Sequence, residues 1–334
     1  MAAASSASGS GSVLPKVLSA VFYGAASILI VFVNKILLTN MQFPSFLWVG
    51  IGQMAATVFL LFVGSELRIV SFPRLDRTIP RKIFPLPLFY VLNLVSGLGG
   101  TQKINLPMFT VLRRFSIFLT MLLEWALLGV APPFAVKFSV FLMIFGSFVA
   151  AIYDLAFDSY GYILIMINNF CTAANGVYVK KKLESKDLGK WGLMYYNALF
   201  MLGPLLIFAA VTDDTEKLQE FVEEGRLTTS VALCFLLSCI CGFILNYALV
   251  TCSTHNSALT TTCVGPIKNL FVTYMGMISS GDYIFSWANF IGVNISVGGS
   301  VLYTYVTFRT KSVSAPRTIT VRAKPTEKRL LLEP

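Results

Sequence analysis

Two basic residues, Arg113 and Arg114, lie together in the apolar stretch 106–129. A second apolar stretch, 257–281, carries Lys268 near its middle. A charge at the centre of a membrane-spanning helix costs at least about 2.5–3.5 kcal/mol on insertion scales, so such residues usually face a cavity, a partner or a substrate. The sequence therefore predicts that two helices direct positive charge into a membrane, and that their ligand is an anion.

The residues beside Lys268 support the same interpretation. Gly265 and Pro266 loosen the helical hydrogen-bond ladder, which is tolerated at membrane depth only against protein or water. Asn269 offers both hydrogen-bond donors and acceptors. Arginine suits a phosphate because its planar group stays charged and can bind two oxygens at once, whereas lysine adds a point charge. These residue types favour a phosphorylated ligand.

The composition is typical of a membrane protein. Of the 334 residues, 56% are hydrophobic and 13% are charged, whereas soluble domains average about 25% charged residues. The single histidine, His255, argues against histidine-based catalysis and against a histidine-rich metal site. The six cysteines include no Cys-x-x-Cys pair and lie in or beside apolar stretches, so we interpret them as buried thiols. We expect no metal, no cofactor and no nucleic acid partner.

The chain has room for ten membrane-spanning helices of about 20 residues each. We expect an all-α membrane protein with a ten-helix domain at 16–308, a disordered N-terminal tail at 1–15 and a basic C-terminal tail at 309–334. The predicted spans are 16–39, 43–64, 83–101, 106–129, 134–153, 160–180, 191–211, 229–250, 257–280 and 283–307.

The charges of the connections predict an orientation. The connections 65–82 and 180–190 each contain five basic residues and two acidic ones, and the tail from Arg309 contains seven and two. The connection 212–227 contains six acidic residues and two basic ones. Because basic connections stay on the cytosolic side of a membrane, we expect both termini in the cytosol and 212–227 on the opposite, lumenal face.

Two halves of five spans each, about 16–153 and 160–307, would enter the membrane in opposite orientations because five is an odd number. The fourth span of each half holds the intramembrane basic residues, Arg113 and Arg114 in one half and Lys268 in the other. Inverted repeats with a binding site near the midplane are a recurring plan of transporters. The pattern therefore predicts two inverted five-helix repeats.

Several motifs extend this interpretation, among them PMFTVLRRFSI at 107–117, DLGKWGLMYYNALF at 187–200 and NSALTTTCVGPIKN at 256–269. Over residues 16–308 the chain resembles the nucleotide-sugar transporters of the drug/metabolite transporter superfamily. It is most similar to the animal subfamily that carries UDP-glucuronate, UDP-N-acetylgalactosamine, UDP-N-acetylglucosamine and related sugars. The resemblance implies a ten-helix antiporter that exchanges a cytosolic nucleotide sugar for a lumenal nucleoside monophosphate.

The resemblance also implies a set of binding residues. The nucleobase motif of the GDP-mannose branch, Phe-Tyr-Asn-Asn, is matched by Tyr195-Tyr196-Asn197-Ala198, whose missing second asparagine favours uracil over guanine. The sugar-and-phosphate motif Gly-Ala-Leu-Asn-Lys is matched by 265–269, with the lysine and asparagine exchanged. The residues expected to bind substrate are Tyr23, Arg113, Arg114, Tyr195, Asn197, Thr261, Gly265, Lys268 and Asn269.

The expected activity is exchange of a UDP-sugar, of the UDP-glucuronate, UDP-N-acetylhexosamine or UDP-galactose type, for UMP across the Golgi membrane or that of the endoplasmic reticulum. Two alternatives stay open: a GDP-sugar or phosphorylated small metabolite carried on the same fold, and a multi-pass membrane glycosyltransferase. The glycosyltransferase has less support, since the acidic connection 212–227 contains adjacent aspartates but no Asp-x-Asp. We expect a transporter rather than an enzyme.

Each candidate residue also has a structural interpretation. The arginine pair could be structural and associate with Glu124 inside the bundle, although a separation of about 16 Å along one straight helix is too large for a direct pair. Tyr195 and Tyr196 could belong to an aromatic belt at the membrane interface. The tail matches an acidic dileucine pattern at Glu327–Leu332, which leaves open a trafficking adaptor as a partner. The sequence also leaves open whether two chains form a homodimer.

Overall fold

A computed structural model describes residues 13–103, 112–150, 159–265 and 287–309. All regular secondary structure in these ranges is helical, as the sequence predicts. The described helices, numbered in chain order, are α1 Val13–Lys35 with a π-helical extension Ile36–Asn40, α2 Phe46–Glu66, α3 Ile79–Ile83, α4 Leu86–Lys103, α5 Phe115–Leu128, α6 Phe134–Ala150, α7 Ser159–Ser185, α8 Gly189–Val211, α9 Asp214–Glu223, α10 Thr229–His255, α11 at 258–265 and α12 Trp287–Arg309.

The long helices coincide with the predicted membrane spans. Six described helical segments are long and apolar enough to cross a membrane, while α5 and α6 are apolar but shorter. An all-helical fold is therefore confirmed, whereas the full count of ten spans and the side on which the termini lie stay predictions. The six segments are Val13–Asn40, Phe46–Glu66, Ser159–Ser185, Gly189–Val211, Thr229–His255 and Phe290–Phe308.

Local sequence determines several helix ends. Ser45 accepts a hydrogen bond from the Trp48 amide (3.2 Å), and Thr228 accepts one from the Val231 amide (3.4 Å). These side chains cap the starts of α2 and α10 by satisfying amides that have no partner within the helix. Gly129 ends α5 with a φ of 69°, a left-handed conformation that glycine adopts without a Cβ clash.

The helices pack mainly across the two halves of the chain. α1 lies along α10, α4 lies along α7, α2 lies along α8, and α6 lies along α12. α5 packs on α7, and α10 also contacts α2. In the described residues, the most extensive contacts thus join the first half of the chain to the second.

Contacts between connections define two ends of the bundle. At one end the Tyr196 hydroxyl donates to the Pro73 carbonyl oxygen (2.6 Å), which brings the basic connection 65–82 against α8. At the other end Arg226, in the acidic connection, donates to Gln42 between α1 and α2 (2.8 Å). We call these the basic end and the acidic end. The basic and the acidic connection thus lie at opposite ends of the bundle, which agrees with the alternation of charge between successive connections.

The sequence interpretation treated both charged connections as non-helical, and each proves to contain a short helix. α3 lies in the basic connection, and α9 lies in the acidic one. α9 is anchored because Phe221 is buried and its ring meets Phe43 edge-on, with centroids 5.9 Å apart. Its three glutamates, Glu216, Glu220 and Glu223, are exposed, as expected for the polar face of an amphipathic helix.

α6 and α12 approach each other so closely that their backbones touch. A Cβ atom added to Gly146 would lie 2.4 Å from the Ser296 amide nitrogen. One added to Gly299 would lie 2.8 Å from the Met143 nitrogen and 2.9 Å from the Ser139 oxygen. Small residues permit close approach of membrane helices, where van der Waals packing supplies much of the association energy.

Neighbouring glycines on α12 provide a matched test of this contact. We expect Gly299→Ala to destabilise the protein by about 1–3 kcal/mol, because the new methyl group meets backbone atoms that cannot rotate away. Gly298→Ala adds the same methyl group where no atom lies within 4 Å. Both changes gain the same helix propensity, so the difference in thermal unfolding midpoint of the purified variants isolates the clash. Equal midpoints would contradict the close packing of α6 and α12.

Candidate functional site

Arg114 lies immediately before α5 with its side chain inside the protein. Only 8% of the residue is exposed, and its Nη1 atom is buried without a hydrogen-bond partner. A buried guanidinium nitrogen without an acceptor is costly, because its hydration has been removed and not replaced. A ligand that supplied the missing acceptor would offset this cost. Arg114 therefore has the environment of an anion-binding residue.

α7 holds the chain segment that carries the arginine pair. The buried Asn169 side chain donates to the Leu112 carbonyl oxygen (2.7 Å). The Ser116 hydroxyl donates to the Arg113 carbonyl oxygen (2.8 Å). These hydrogen bonds engage the backbone carbonyl groups of Leu112 and Arg113, so the start of α5 is held by contacts that do not involve the guanidinium groups.

α7 is itself fixed against α4 by a reciprocal pair of asparagines. The Asn93 side chain donates to the Asn168 carbonyl oxygen (3.1 Å), and the Asn168 side chain donates to the Asn93 carbonyl oxygen (2.7 Å). Gly97 lies against this pair, since a Cβ there would be 2.8 Å from Asn168 Nδ2. The helix that positions the arginines is therefore held by directional contacts in addition to apolar packing.

The structure brings three helices together around the arginine pair. Arg113 lies near Tyr23 of α1, and Arg114 lies near Cys263 of α11. α1 and α11 are also in direct contact, because a Cβ on Gly24 would lie 3.6 Å from the Val264 side chain. Of the residues predicted from the sequence, Tyr23, Arg113 and Arg114 thus share one neighbourhood.

Glu124, at the other end of α5, is buried and caps α11. Its Oε1 accepts the Ala258 amide (3.0 Å), and its Oε2 accepts the Leu259 amide (3.1 Å). A carboxylate is stabilised there because the first amides of a helix lack internal partners and carry partial positive charge. Both carboxylate oxygens are thus engaged by the backbone of α11. These contacts give Glu124 a structural role that the sequence interpretation, which considered it only as a partner for basic side chains, did not foresee.

The turn between α10 and α11 is held from two further helices. Lys180 of α7 donates to the Ser253 carbonyl oxygen near the end of α10 (2.9 Å). Asn256, in the turn, donates to the Lys16 carbonyl oxygen (3.1 Å) and to Ser19 Oγ (3.0 Å), both on α1. Together with Glu124, these contacts fix the point where α11 starts. The orientation of α11 beside the arginines follows from this anchoring.

The predicted nucleobase motif is divided between two environments. The Tyr195 ring stacks on Phe72 with centroids 4.7 Å apart, and the buried Tyr196 donates its hydroxyl to Pro73. Both tyrosines thus anchor the basic connection against α8. Asn197 differs, because its Oδ1 atom is buried without a hydrogen-bond partner. The binding role of Tyr195 stays a prediction, and its ring already has a protein partner.

The predicted residues of the second half are only partly described. Thr261 is buried, and its hydroxyl donates to the Ser257 carbonyl oxygen one turn earlier (3.1 Å). Gly265 is the last residue of the described part of α11, and no atom of the described residues lies within 4 Å of the position of an added Cβ. Lys268 and Asn269 lie outside the described residues, so their roles stay predictions.

Buried acceptor atoms without partners recur on the helices of the second half. Besides Asn197 Oδ1, they include Asn169 Oδ1 and Asn175 Oδ1 on α7. Each leaves one strong acceptor unsatisfied in a buried position, which proteins generally avoid. A ligand with several hydrogen-bond donors, such as hydroxyl or imide groups, would satisfy such atoms. Sequence reasoning missed Asn169 and Asn175, although amides inside an apolar span are a recognisable signal.

A large groove beside the same helices has a different character. It measures about 740 Å³, lies between α1, α11 and α12, and is lined mostly by apolar side chains such as Val17, Val21, Ile28 and Val264. None of the described residues that line it is basic. The described part of the chain therefore gives this groove no charge that would compensate an anion.

Comparisons with known proteins agree with these observations. The model of the Triose-phosphate Transporter family matches residues 16–304. "UDP-sugar transporter sqv-7" of Caenorhabditis elegans is 67% identical over 299 residues, which cover 90% of this chain and 91% of that protein. "UDP-sugar transporter UST74c" of Drosophila melanogaster is 53% identical over 89% of this chain and 79% of that protein. "Nucleotide sugar transporter SLC35D2" of Homo sapiens is 50% identical over 90% and 89%.

A solved crystal structure also shares the fold. It superposes with a TM-score of 0.62 at 12% sequence identity and covers 86% of this chain and 98% of that one. This similarity supports the helical arrangement and carries no information about the ligand.

The Glu124 cap yields a stability prediction. We expect Glu124→Gln to destabilise the protein by about 1–3 kcal/mol, because the carboxamide can accept only one of the two amides and its own NH₂ group faces the other. The thermal unfolding midpoint of the purified variant should therefore fall. Glu220→Gln removes the same charge from an exposed position on α9 and should leave the midpoint unchanged. If both variants had the same unfolding midpoint as the unmodified protein, the cap would not contribute to stability.

Proposed function

The chain belongs to the Triose-phosphate Transporter family, and we propose that it carries UDP-sugars into a lumenal compartment in exchange for UMP. Its membership of the nucleotide-sugar transporters, expected from the motifs, is confirmed, and the chain is a multi-pass membrane transporter rather than an enzyme. Relatives named as UDP-sugar transporters in nematode and fly, at 67% and 53% identity, support a UDP-sugar as the cargo.

One observation carries the proposal: the buried Nη1 atom of Arg114 without a partner. A UDP-sugar brings two phosphate charges into the bundle, and a guanidinium compensates phosphate with directional, charge-assisted hydrogen bonds. Arg113 and Tyr23 lie in the same neighbourhood and would extend the contact surface. Lys268 is proposed as a further cation on the continuation of α11, where Asn269 would bind the sugar or the base.

The proposed selectivity for uracil depends on Asn197. Its unpartnered Oδ1 could accept the imide N–H of uracil, while its amide nitrogen could donate to a uracil carbonyl. Ala198 follows it where a second amide would be needed in the GDP-mannose motif. The unpartnered amide oxygens of Asn169 and Asn175 would accept hydroxyl groups of the ribose or the sugar.

The proposed exchange with UMP follows from the cost of an empty carrier. The Nη1 atom of Arg114 lacks an acceptor within the protein, so a return step with an empty site would move an incompletely compensated charge through a low dielectric. UMP would supply the phosphate for that step. The strong pairing of helices across the halves supports alternating access by two inverted repeats.

The proposed location is the Golgi membrane, with the basic end and both termini in the cytosol. The basic connection 65–82 lies at one end of the bundle and the acidic α9 at the other, which is the asymmetry that the positive-inside rule uses. The UDP-sugar would therefore enter from the basic end and leave at the acidic end.

The exchange itself is testable with purified protein in liposomes. Liposomes loaded with UMP should take up labelled UDP-sugars from a panel that includes UDP-glucuronate, UDP-N-acetylhexosamines and UDP-galactose. Empty liposomes should take up little, because the site cannot return without a compensating anion. Uptake that is equally fast without internal UMP would contradict exchange, and uptake of GDP-mannose in preference to every UDP-sugar would contradict the proposed cargo.

Two substitutions separate recognition of the phosphate from recognition of the base. Arg114→Gln should weaken inhibition by UMP and GMP alike, by about tenfold to a hundredfold, because a hydrogen bond to a charged group is worth about 1.5–3 kcal/mol. Asn197→Ala should instead reduce the preference for UMP over GMP, because the amide can distinguish the two bases by their hydrogen-bond donors and acceptors.

The control is Arg77→Gln, which removes an exposed arginine of the basic connection and should leave both inhibition constants unchanged. An unaltered preference for UMP in Asn197→Ala would rule out the base-reading assignment. Unchanged inhibition by both nucleotides in Arg114→Gln would remove the phosphate-binding assignment.

A further inference from the structure

The segment between α2 and α4 combines exposed apolar side chains with basic ones. Leu67, Ile69 and Leu75 are each at least 65% exposed, although they are large and hydrophobic. Arginines alternate with them along the same segment, at Arg68 and Arg74. Alternation of exposed apolar and basic side chains next to a membrane helix is typical of a segment that lies at the lipid interface.

A polar pocket of about 470 Å³ opens beside this segment at the basic end. Arg68 and Arg74 contribute its positive charge, and Glu66 is the acidic side chain that lines it. α8 forms the opposite wall with Tyr195 and Tyr196. The pocket is separate from Arg114, which does not line it.

Neither of the two arginines of the pocket forms an ion pair with any residue in the described ranges. The nearby Asp76 is engaged elsewhere: a hydrogen bond from the Thr78 hydroxyl (3.0 Å), with one from the Arg77 amide (2.7 Å), holds the pKa of Asp76 below its usual range. The pocket thus keeps a net positive charge around neutral pH.

The pocket also adjoins the end of α2, a predicted membrane span. Its floor includes Phe62, which is 51% exposed and lies one turn before the end of α2 at Glu66. Phe59, one turn further into the predicted membrane, is exposed as well. An amphiphile with its acyl chains along these phenylalanines would place its phosphate beside Arg68 and Arg74.

We propose that this pocket binds the headgroup of an anionic phospholipid, with the phosphate between Arg68 and Arg74 and the acyl chains against the apolar face of α2. The apolar residues of the pocket would contact the acyl chains, and its arginines would contact the phosphate. A zwitterionic lipid has no net charge and would not compensate the positive charge of the pocket. Arg114 and Asn197 do not line this site, so it is separate from the proposed phosphate and base contacts, although its wall includes Tyr195, whose role in substrate binding stays a prediction. The lipid proposal does not depend on what the transporter carries.

The lipid would order the segment that abuts the nucleobase motif. Phe72 stacks on Tyr195, and Pro73 accepts the Tyr196 hydroxyl, so the pocket wall is continuous with the residues that precede Asn197. Binding at the pocket therefore stabilises the start of α8 and raises the thermal stability of the whole chain.

The test compares the full-length protein in nanodiscs of phosphatidylcholine alone and in nanodiscs that also contain phosphatidylinositol. Thermal unfolding is followed by reaction of the cysteines, five of which are buried, with a fluorogenic thiol reagent. The unfolding midpoint of the unmodified protein should rise with phosphatidylinositol and saturate. For Arg68→Gln with Arg74→Gln, the half-saturating lipid fraction should increase about 25-fold, or about fivefold for each arginine removed.

The matched control is Arg77→Gln with Arg81→Gln, which removes the same charge from the same connection outside the pocket. It should respond to phosphatidylinositol like the unmodified protein. Equal loss of response in both double variants would overturn the pocket in favour of general surface attraction. Equal stabilisation by soluble glycerophosphoinositol would overturn the lipid as the source of the phosphate.

A second measurement does not depend on how the variants fold. Native mass spectrometry of the unmodified protein, released from mixed micelles, should show a phosphatidylinositol adduct that persists when phosphatidylcholine adducts have dissociated. Loss of both adducts at the same collision energy would contradict selective binding of the anionic headgroup.

Discussion

A charge buried inside a membrane protein must be compensated by the protein or by a ligand, and this constraint governs the interior of the bundle. Lys180, which is only partly buried, is compensated by the Ser253 carbonyl oxygen and by Glu184 (3.7 Å), and the buried Glu124 is compensated by two amides of α11. Arg114 is buried to a similar extent, yet its Nη1 atom has no acceptor. This contrast separates charges that hold the fold together from a charge that is available to a ligand.

The structural charges also position the functional one. α5 carries Arg114 at its start and Glu124 near its end, and both face α11. The Glu124 cap therefore fixes α11 relative to α5 at one level while Arg114 approaches Cys263 at another. Lys268 follows the described part of α11 by three residues in the sequence, and its proposed place beside Arg114 stays a prediction. Arg114 and Glu124 are ten residues apart. A change in the cap at Glu124 would therefore affect both the stability of the protein and the position of the proposed phosphate-binding residue Arg114.

Local sequence was sufficient to predict the helices and the arginine pair, because an apolar span and a charge within it are visible without knowledge of the fold. It did not predict the partners of Glu124 or Asn169, since these contacts join residues 134 and 57 positions apart. The Tyr195 ring shows the same limit: a motif suggested a binding role, while the stacking on Phe72 depends on how a distant connection folds back. These roles depend on contacts between helices, which cannot be predicted from the periodicity of the sequence.

The most direct test of a phosphate-binding interior is the thermal stabilisation of the purified protein by UMP compared with uridine, which lacks only the phosphate. We expect UMP to raise the unfolding midpoint in a saturable manner and uridine to have little effect, because Arg114 gains an acceptor only from the phosphate. In Arg114→Gln the difference between the two ligands should largely disappear. Equal stabilisation of the unmodified protein by uridine and UMP would contradict the assignment of this interior as a phosphate site.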